Sequence, residues 1–149
     1  MLENSPTTRN PRELRISRTF NAPRALVFEA WTKAEHLEKW FTPKPLTTPS
    51  CEVDFRPGGV FRLVMRMPNG VEFPMDTRFG DIVVPERIVF TGKMHDGNDV
   101  STTVTFSEKD GKTTVDVHQT YGFESDSTRG AQQGWTATLD QLGEHVMRS

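Results

Sequence analysis

The 149 residues predict an α+β fold in which one curved antiparallel sheet grips a long C-terminal helix. Three observations carry this. Between Thr128 and Met147, the residues Ala131, Trp135, Leu139, Leu142 and Val146 recur at steps of four, four, three and four, which lays them on one side of a helix. Asp140, Glu144 and Arg148 fall elsewhere on the wheel and can face water. Upstream, nearly everything from Cys51 to Tyr121 reads as short alternating runs of strand type. Those runs are separated by turn residues so close together that neighbours must pair antiparallel. The helix would span roughly 30 Å at 1.5 Å per residue, so it needs an apolar surface of matching length, and the sheet supplies it.

Taken in order, residues 1–12 are polar, hold Pro6 and Pro11 and show no period; they read as a loose tail before a single domain over 13–149. Leu14, Ile16 and Phe20 alternate with Arg15 and Thr19, a first strand. Ala22-Pro23 ends it, and proline suits the first turn of a helix. Arg24 to Thr32 then places Val27, Phe28 and Trp31 on one face. Thr32-Lys33-Ala34-Glu35 has the form of a capping box, so a second short helix is expected from there, with Leu37, Trp40 and Phe41 as its apolar face. Thr42 to Ser50 contains Pro43, Pro45 and Pro49 and is expected to be loop.

The strand runs that follow are Cys51–Arg56, Val60–Met67, Val71–Phe79, Ile82–Val84, Arg87–Met94, Val100–Ser107 and Thr113–Tyr121. Their punctuation is Pro57-Gly58-Gly59, Pro68-Asn69-Gly70, Pro85-Glu86, Asp96-Gly97-Asn98 and Asp110-Gly111. Alternation loses phase at Gly80, which marks a bulge within one long strand. Phe61, Leu63, Met65 and Met67 oppose Arg62 and Arg66, while Val115, Val117, Gln119 and Tyr121 oppose Asp116, His118 and Thr120. One-sided alternation means one wet face and one covered face. Glu124, Asp126 and Ser127 precede the final helix, where acids suit its positive end.

Composition narrows the function classes. A net charge of −2 with both signs mixed along the chain gives no electrostatic case for nucleic acid. No apolar run approaches the length of a membrane span, and the first residues lack the apolar segment of a secretion signal. Cys51 is the only cysteine, which excludes an internal disulfide and fits a reducing cytosol; in an alternating strand it reads as a small core residue.

Reactive motifs are missing. G-x-S-x-G, H-E-x-x-H and G-x-G-x-x-G do not occur. Gly111-Lys112-Thr113 matches the tail of a phosphate loop, yet Phe106 stands where the earlier glycine is required, so a hairpin turn accounts for it. His36, His95, His118 and His145 lie in separate segments with no zinc-site spacing, and His95-Asp96-Gly97-Asn98-Asp99 lacks the calcium-loop pattern and reads as a solvated turn. No metal and no cofactor is expected.

The covered face carries more aromatic and Met residues than one helix stripe can cover tightly: Phe61, Met65, Phe73, Met75, Phe90, Met94 and Phe106. Met suits a pocket that adapts to an irregular guest, and Gly130 and Gly134 thin the helix beside Trp135. On pattern alone the same residues also read as solid core packed on itself. Gln119 and Tyr121, on the covered face, are candidates to orient a ligand or to satisfy each other at the sheet end.

With this layout in place, the chain resembles the helix-grip, START/SRPBCC-like superfamily over roughly residues 14–147, and within it the family named after activators of a heat-shock chaperone's ATPase. The resemblance rests on Phe20-Asn21-Ala22-Pro23 leading into Val27-Phe28-Glu29-Ala30-Trp31-Thr32 and on Leu37-Glu38-Lys39-Trp40-Phe41. It continues through Arg56-Pro57-Gly58-Gly59 with Phe61, Pro85-Glu86-Arg87-Ile88-Val89-Phe90-Thr91, and Gly134-Trp135 with Leu139 and Leu142. It implies β-α-α-β6-α order, a deep cavity between sheet and final helix, often a hydrophobic ligand inside, and no shared catalytic set. The lining would then draw on Trp31 and Trp40 from the helical bracket, and on Phe61, Leu63, Met65, Phe73, Met75, Phe90, Met94 and Phe106 from the sheet. Val117, Gln119 and Tyr121 would add to it from the last strand, and Gly134, Trp135, Thr138 and Leu142 from the helix. The chaperone activators proper carry a further N-terminal domain with no counterpart in these residues, so the family's name alone carries no chaperone-binding role over.

Three functions compete on these residues. The first is a non-catalytic binder of a small apolar or aromatic molecule. The second is an enzyme working in the same cavity by cyclisation, hydrolysis or proton transfer, for which Asp76, His95 and Tyr121 are the only suppliers of titratable groups. The third is an interaction module, with a chaperone or a second copy of the chain as partner, that exposes Trp40, Phe41 and the Pro43–Pro49 loop. The absence of any reactive constellation leans towards the first.

Overall fold

Seven strands, all antiparallel to their neighbours, curl around one long helix in a computed structural model that describes residues 12–147. Residues 1–11 of the expected tail, and Arg148 on the final helix, lie outside the described residues. The elements run β1 (Glu13–Phe20), α1 (Arg24–Glu29), α2 (Ala34–Trp40), β2 (Thr47–Val53), β3 (Val60–Arg66), β4 (Glu72–Val83), β5 (Arg87–Lys93), β6 (Asp99–Lys109), β7 (Lys112–Tyr121) and α3 (Asp126–Met147). This is the β-α-α-β6-α order of a helix-grip fold. The sheet order is β1-β7-β6-β5-β4-β3-β2, so β2 to β7 form a meander and β1 adds itself to the far edge through pairs such as Ile16 opposite Val117.

Alternation decides which face of the sheet meets α3. Phe61 and Leu63 on β3, Ile88 and Phe90 on β5, Val104 and Phe106 on β6 and Val115 and Val117 on β7 are all buried beneath Trp135, Leu139, Leu142 and Val146. On the outer face, Arg62 stands opposite Asp76, Arg66 opposite Glu72 and Lys93 opposite Asp99, each pair in ionic contact. A slip of one residue would expose the whole core face and separate these pairs, so pattern and charge specify one register. Gly92 permits the curl between β4 and β5: a Cβ there would sit 2.1 Å from the Asp76 carbonyl oxygen. The β6–β7 hairpin turns at Asp110 and Gly111, both at positive φ (54° and 77°), so Gly111-Lys112-Thr113 belongs to a hairpin turn and not to a phosphate loop.

Several local expectations are corrected. Helix α1 stops at Glu29, and the Thr32 hydroxyl donates back to the Glu29 carbonyl at 2.9 Å; α2 begins after Lys33 with no side-chain cap, so the capping box does not form. Thr47–Ser50 is strand, not loop, because β2 is an edge strand whose register slips between Thr47 and Ser50, where Pro49 removes no interior hydrogen bond. Gly80 does lie at a bulge, with β4 continuous from Glu72 to Val83 and its register shifting between Phe79 and Ile82. Helix α3 starts two residues earlier than the stripe suggested, capped by Ser125 and Thr128: the Ser125 N–H donates to Thr128 Oγ1 at 3.0 Å and the Thr128 N–H to Ser125 Oγ at 3.5 Å. Among the described residues, no helix is long and apolar enough to cross a membrane.

The bracket α1–α2 closes one end of the sheet and is tied to α3 by polar contacts. Gln141 Nε2 donates to the carbonyls of Trp40 (2.9 Å) and Thr42 (2.8 Å), and the Thr138 hydroxyl donates to that of Phe41 (3.0 Å). His36 Nδ1 and His145 Nε2 share a hydrogen bond at 2.9 Å, joining two histidines that the sequence separates by 109 positions.

Candidate functional site

The concave side is not filled evenly. At the bracket end, Phe28, Trp31, Phe41 and Phe106 meet largely edge to face; Trp31, for example, lies 4.7 Å from Trp40 and 5.9 Å from Phe106 between ring centres. At the opposite end, where the N-terminal half of α3 crosses the tips of β3, β4 and β5, a cavity of about 180 Å³ opens to the surface. Register explains the location. Met65 lies opposite Phe73 and Leu63 opposite Met75, so the methionines of β3 and β4 flank one another where β4 outruns β5. On α3, Ala131 and Gly134 present no side chain beyond a methyl; a Cβ built on Gly134 would meet nothing within 4 Å.

The floor and walls are Met65, Met75, Phe90, Met94 and Trp135, with Phe41 and Pro43 from the bracket side. Polar side-chain atoms among the lining residues are those of Gln119, Ser127 and Thr138 and the indole N–H of Trp135, and none of the lining residues is titratable. Gln119 is held by a fully specified network. Trp135 Nε1–H donates to its Oε1 at 3.2 Å, the Tyr121 hydroxyl donates to the same oxygen at 2.5 Å, and its Nε2 donates to Thr102 Oγ1 at 2.8 Å. Because an indole nitrogen can only donate, the oxygen of the amide must face Trp135, and the amide orientation follows. Burial raises the Tyr121 hydroxyl above its ordinary value, which keeps it a donor to Gln119.

Of the residues expected to line a cavity, Met65, Met75, Phe90, Met94, Gln119, Gly134, Trp135 and Thr138 do so. Trp31, Trp40, Phe61, Leu63, Phe106, Val117 and Leu142 do not, because they are spent on the solid end, buried against one another. Phe73 is turned towards the His95 ring, 4.8 Å between centres, and Tyr121 stands behind Gln119 rather than at the cavity surface. Phe41, Pro43, Ser127 and Ala131 were missed as lining. Ala131 could have been found, since it belongs to the helical stripe one turn before Trp135; Pro43 and Ser127 carry no sequence signal of this kind.

The suppliers of acid–base chemistry scatter. Asp76 is on the outer face, bonded to Arg62 at 2.9 Å. His95 is exposed in the β5–β6 turn, 3.4 Å from Ser127 Oγ. Only Tyr121 is buried. The exposed aromatic patch expected at Trp40 and Phe41 is corrected too: Trp40 is wholly buried with Nε1 donating to the Ala30 carbonyl at 3.0 Å, and Phe41 packs on Trp31 and Trp135. The solvated turn at His95–Asp99 hides one buried side chain. Asn98 Oδ1 accepts from the N–H groups of Gly122 and Phe123, and its Nδ2 donates to the Phe123 carbonyl at 2.7 Å, clamping the link from β7 to α3. Cys51 is half-buried against the core; burial, and then the Glu38 carboxylate, push its thiol up to about 11, so it is a poor nucleophile. Among the described residues no group of three or more His, Cys, Asp or Glu could hold a metal ion.

A curled antiparallel sheet closed on one long helix, packed at one end and hollow at the other, defines a helix-grip protein. Within that class the chain belongs to the family described as Activator of Hsp90 ATPase homolog 1-like protein, whose model matches residues 21–147. Solved structures agree. A protein from Nitrosomonas europaea is 26% identical with a TM-score of 0.83, covering 95% of this chain and 97% of its own. One from Chromobacterium violaceum is 25% identical with a TM-score of 0.84, covering 92% and 98%. A Silicibacter pomeroyi protein that carries the same family name, at 21% identity and a TM-score of 0.79 over 91% and 97%, shares the fold. No curated protein matches the chain.

Proposed function

We propose that this protein binds a small apolar or aromatic molecule without transforming it, holding it between the N-terminal half of α3 and the methionine-lined end of the sheet. One observation carries the reading: the cavity has an apolar lining with a few placed polar atoms and no titratable side chain. Acid–base or nucleophilic turnover needs a reactive group at the bound molecule, and Tyr121 reaches no further than Gln119. Burial of Trp40 and Phe41 leaves only the Pro43–Pro49 segment of the surface expected for an interaction module, which favours the binding reading.

The test is a titration of the protein with toluene, followed by methyl NMR. Met65, Met75 and Met94 are expected to shift together, with the Trp135 indole N–H following. Shifts spread over the outer face, or none at saturating toluene, would sink the proposal. Gly134→Leu sharpens it: the new side chain projects where a Cβ finds open space, so toluene binding should vanish. Stability should hold or rise by about 0.5–1 kcal/mol, since glycine is a poor helix residue.

A further inference from the structure

We infer that the ligand is a single-ring, uncharged molecule carrying one hydrogen-bond acceptor oxygen next to the ring, such as an aryl ketone, and that Gln119 reads that oxygen. The inference rests on the binding role proposed above and narrows it in three respects.

Size comes from volume. A cavity of about 180 Å³ is close to the roughly 150 Å³ engineered cavity that accommodates benzene. By that comparison it suits one six-membered ring with a small substituent. A fused ring system or a long acyl chain would leave much of itself in water.

Charge comes from the lining. No lining side chain is ionised, so a carboxylate or ammonium placed there would be desolvated with nothing to pair it.

The acceptor requirement comes from counting hydrogen-bond capacity on Gln119. Its Oε1 already accepts twice, from Trp135 and Tyr121, which uses both lone pairs. Its Nε2 has two hydrogens, and Thr102 Oγ1 takes one. The second has no acceptor among the described residues, while the side chain itself forms part of the cavity wall. The amide cannot turn over to offer an oxygen instead, because the Trp135 N–H would then face an N–H₂ group. The wall of the cavity therefore presents a fixed donor, and a ligand acceptor completes it. Trp135, on the same wall, adds aromatic surface for the ring.

Four probes of graded chemistry decide the matter on the full chain: ethylbenzene, acetophenone, benzoate and 2-acetonaphthone, each titrated by Trp fluorescence with methyl NMR to locate it. Acetophenone should bind roughly three- to tenfold tighter than ethylbenzene, the worth of one net hydrogen bond. Benzoate should be at least about a hundredfold weaker than acetophenone, and 2-acetonaphthone weaker than acetophenone. Equal binding of ethylbenzene and acetophenone would overturn the acceptor reading while leaving the apolar-binder reading standing. Preference for benzoate or for the naphthyl ketone would overturn the charge or the size limb. Failure of all four would remove both readings together. Gln119→Met should erase the ketone preference and keep ethylbenzene affinity. If that variant does not fold, the ratio measured on the unaltered protein decides alone.

Discussion

The two ends of the concave face are made by the same strands, yet they are different materials. Along β3 the order Phe61, Leu63, Met65 runs from solid to hollow, and along β4 Phe79, Thr77, Met75 does the same. At the solid end, rings meet rings: Phe61 lies 5.5 Å from Phe41, 5.5 Å from Phe79 and 5.0 Å from Phe90. At the hollow end, flexible thioethers face Gly134 and Ala131. The difference teaches that "solid core or pocket" was a false alternative for this sequence. Stiff aromatics close one end and secure the fold, which leaves the other end free to stay open without unfolding the molecule.

The most direct way to break that contrast is to truncate one residue from each end. Phe106 is buried and meets Phe28 at 5.0 Å and Trp31 at 5.9 Å, so Phe106→Ala should destabilise by about 3–5 kcal/mol. Met75 already borders empty space and is half-buried, so Met75→Ala should lose less than about 2 kcal/mol while weakening toluene binding. Urea unfolding of both variants measures this. Equal losses would mean that the cavity lining is as tightly packed as the aromatic end.

A subtler contrast lies within the solid end. Trp40 and Trp31 are both buried and in contact, but the Trp40 N–H has the Ala30 carbonyl while Trp31 Nε1 is the buried side-chain polar atom without a partner among the described residues. Replacing each by Phe removes a similar volume, so the difference between the two isolates the hydrogen bond. Trp40→Phe should cost about 1–3 kcal/mol more than Trp31→Phe, because only the former strands a carbonyl. Matching losses would show that the Trp40 bond contributes nothing net.

These contrasts also explain what could be read from the chain alone. The β-α-α-β6-α order was legible because period-2 alternation, turn residues and the α3 stripe are local signals, each tied to which face is covered. The site was half legible. Met65, Met75 and Met94 could be assigned to the covered face, but whether a covered residue meets a neighbour or a void depends on register and strand overrun. That put Phe61 and Phe106 in the core and Met65 on the cavity wall from identical patterns. Pro43 and Ser127 reach the cavity because the bracket and the helix start are tied in place by Gln141 and Asn98, contacts that span 101 and 25 positions and leave no periodic trace.

The tether at the hollow end contains a carboxyl whose ionised form is stabilised by the fold. Asp96 begins the turn that presents Asn98, and its carboxylate accepts the Asn98 N–H at 3.0 Å. Burial works against its ionised form, but the Asn98 N–H, the Ser125 and Ser127 hydroxyls and nearby His95 outweigh it, so the carboxyl lies below its ordinary value. The sign follows directly. A carboxyl depressed in the folded state contributes stability above its unfolded value near 4, and that contribution fades as pH falls through the folded value. Asp96 is largely exposed, so the effect is on the order of a few tenths of a kcal/mol. It should surface locally: between pH 5 and pH 2, hydrogen-exchange protection of the Gly122 and Phe123 amides, both bonded to Asn98 Oδ1, should drop ahead of Val104 and Val117. Asp96→Asn should flatten that pH dependence and leave protection at Val104 and Val117 as it was. Uniform loss of protection at both ends, with or without Asp96, would mean that the hollow end is no looser than the rest of the sheet.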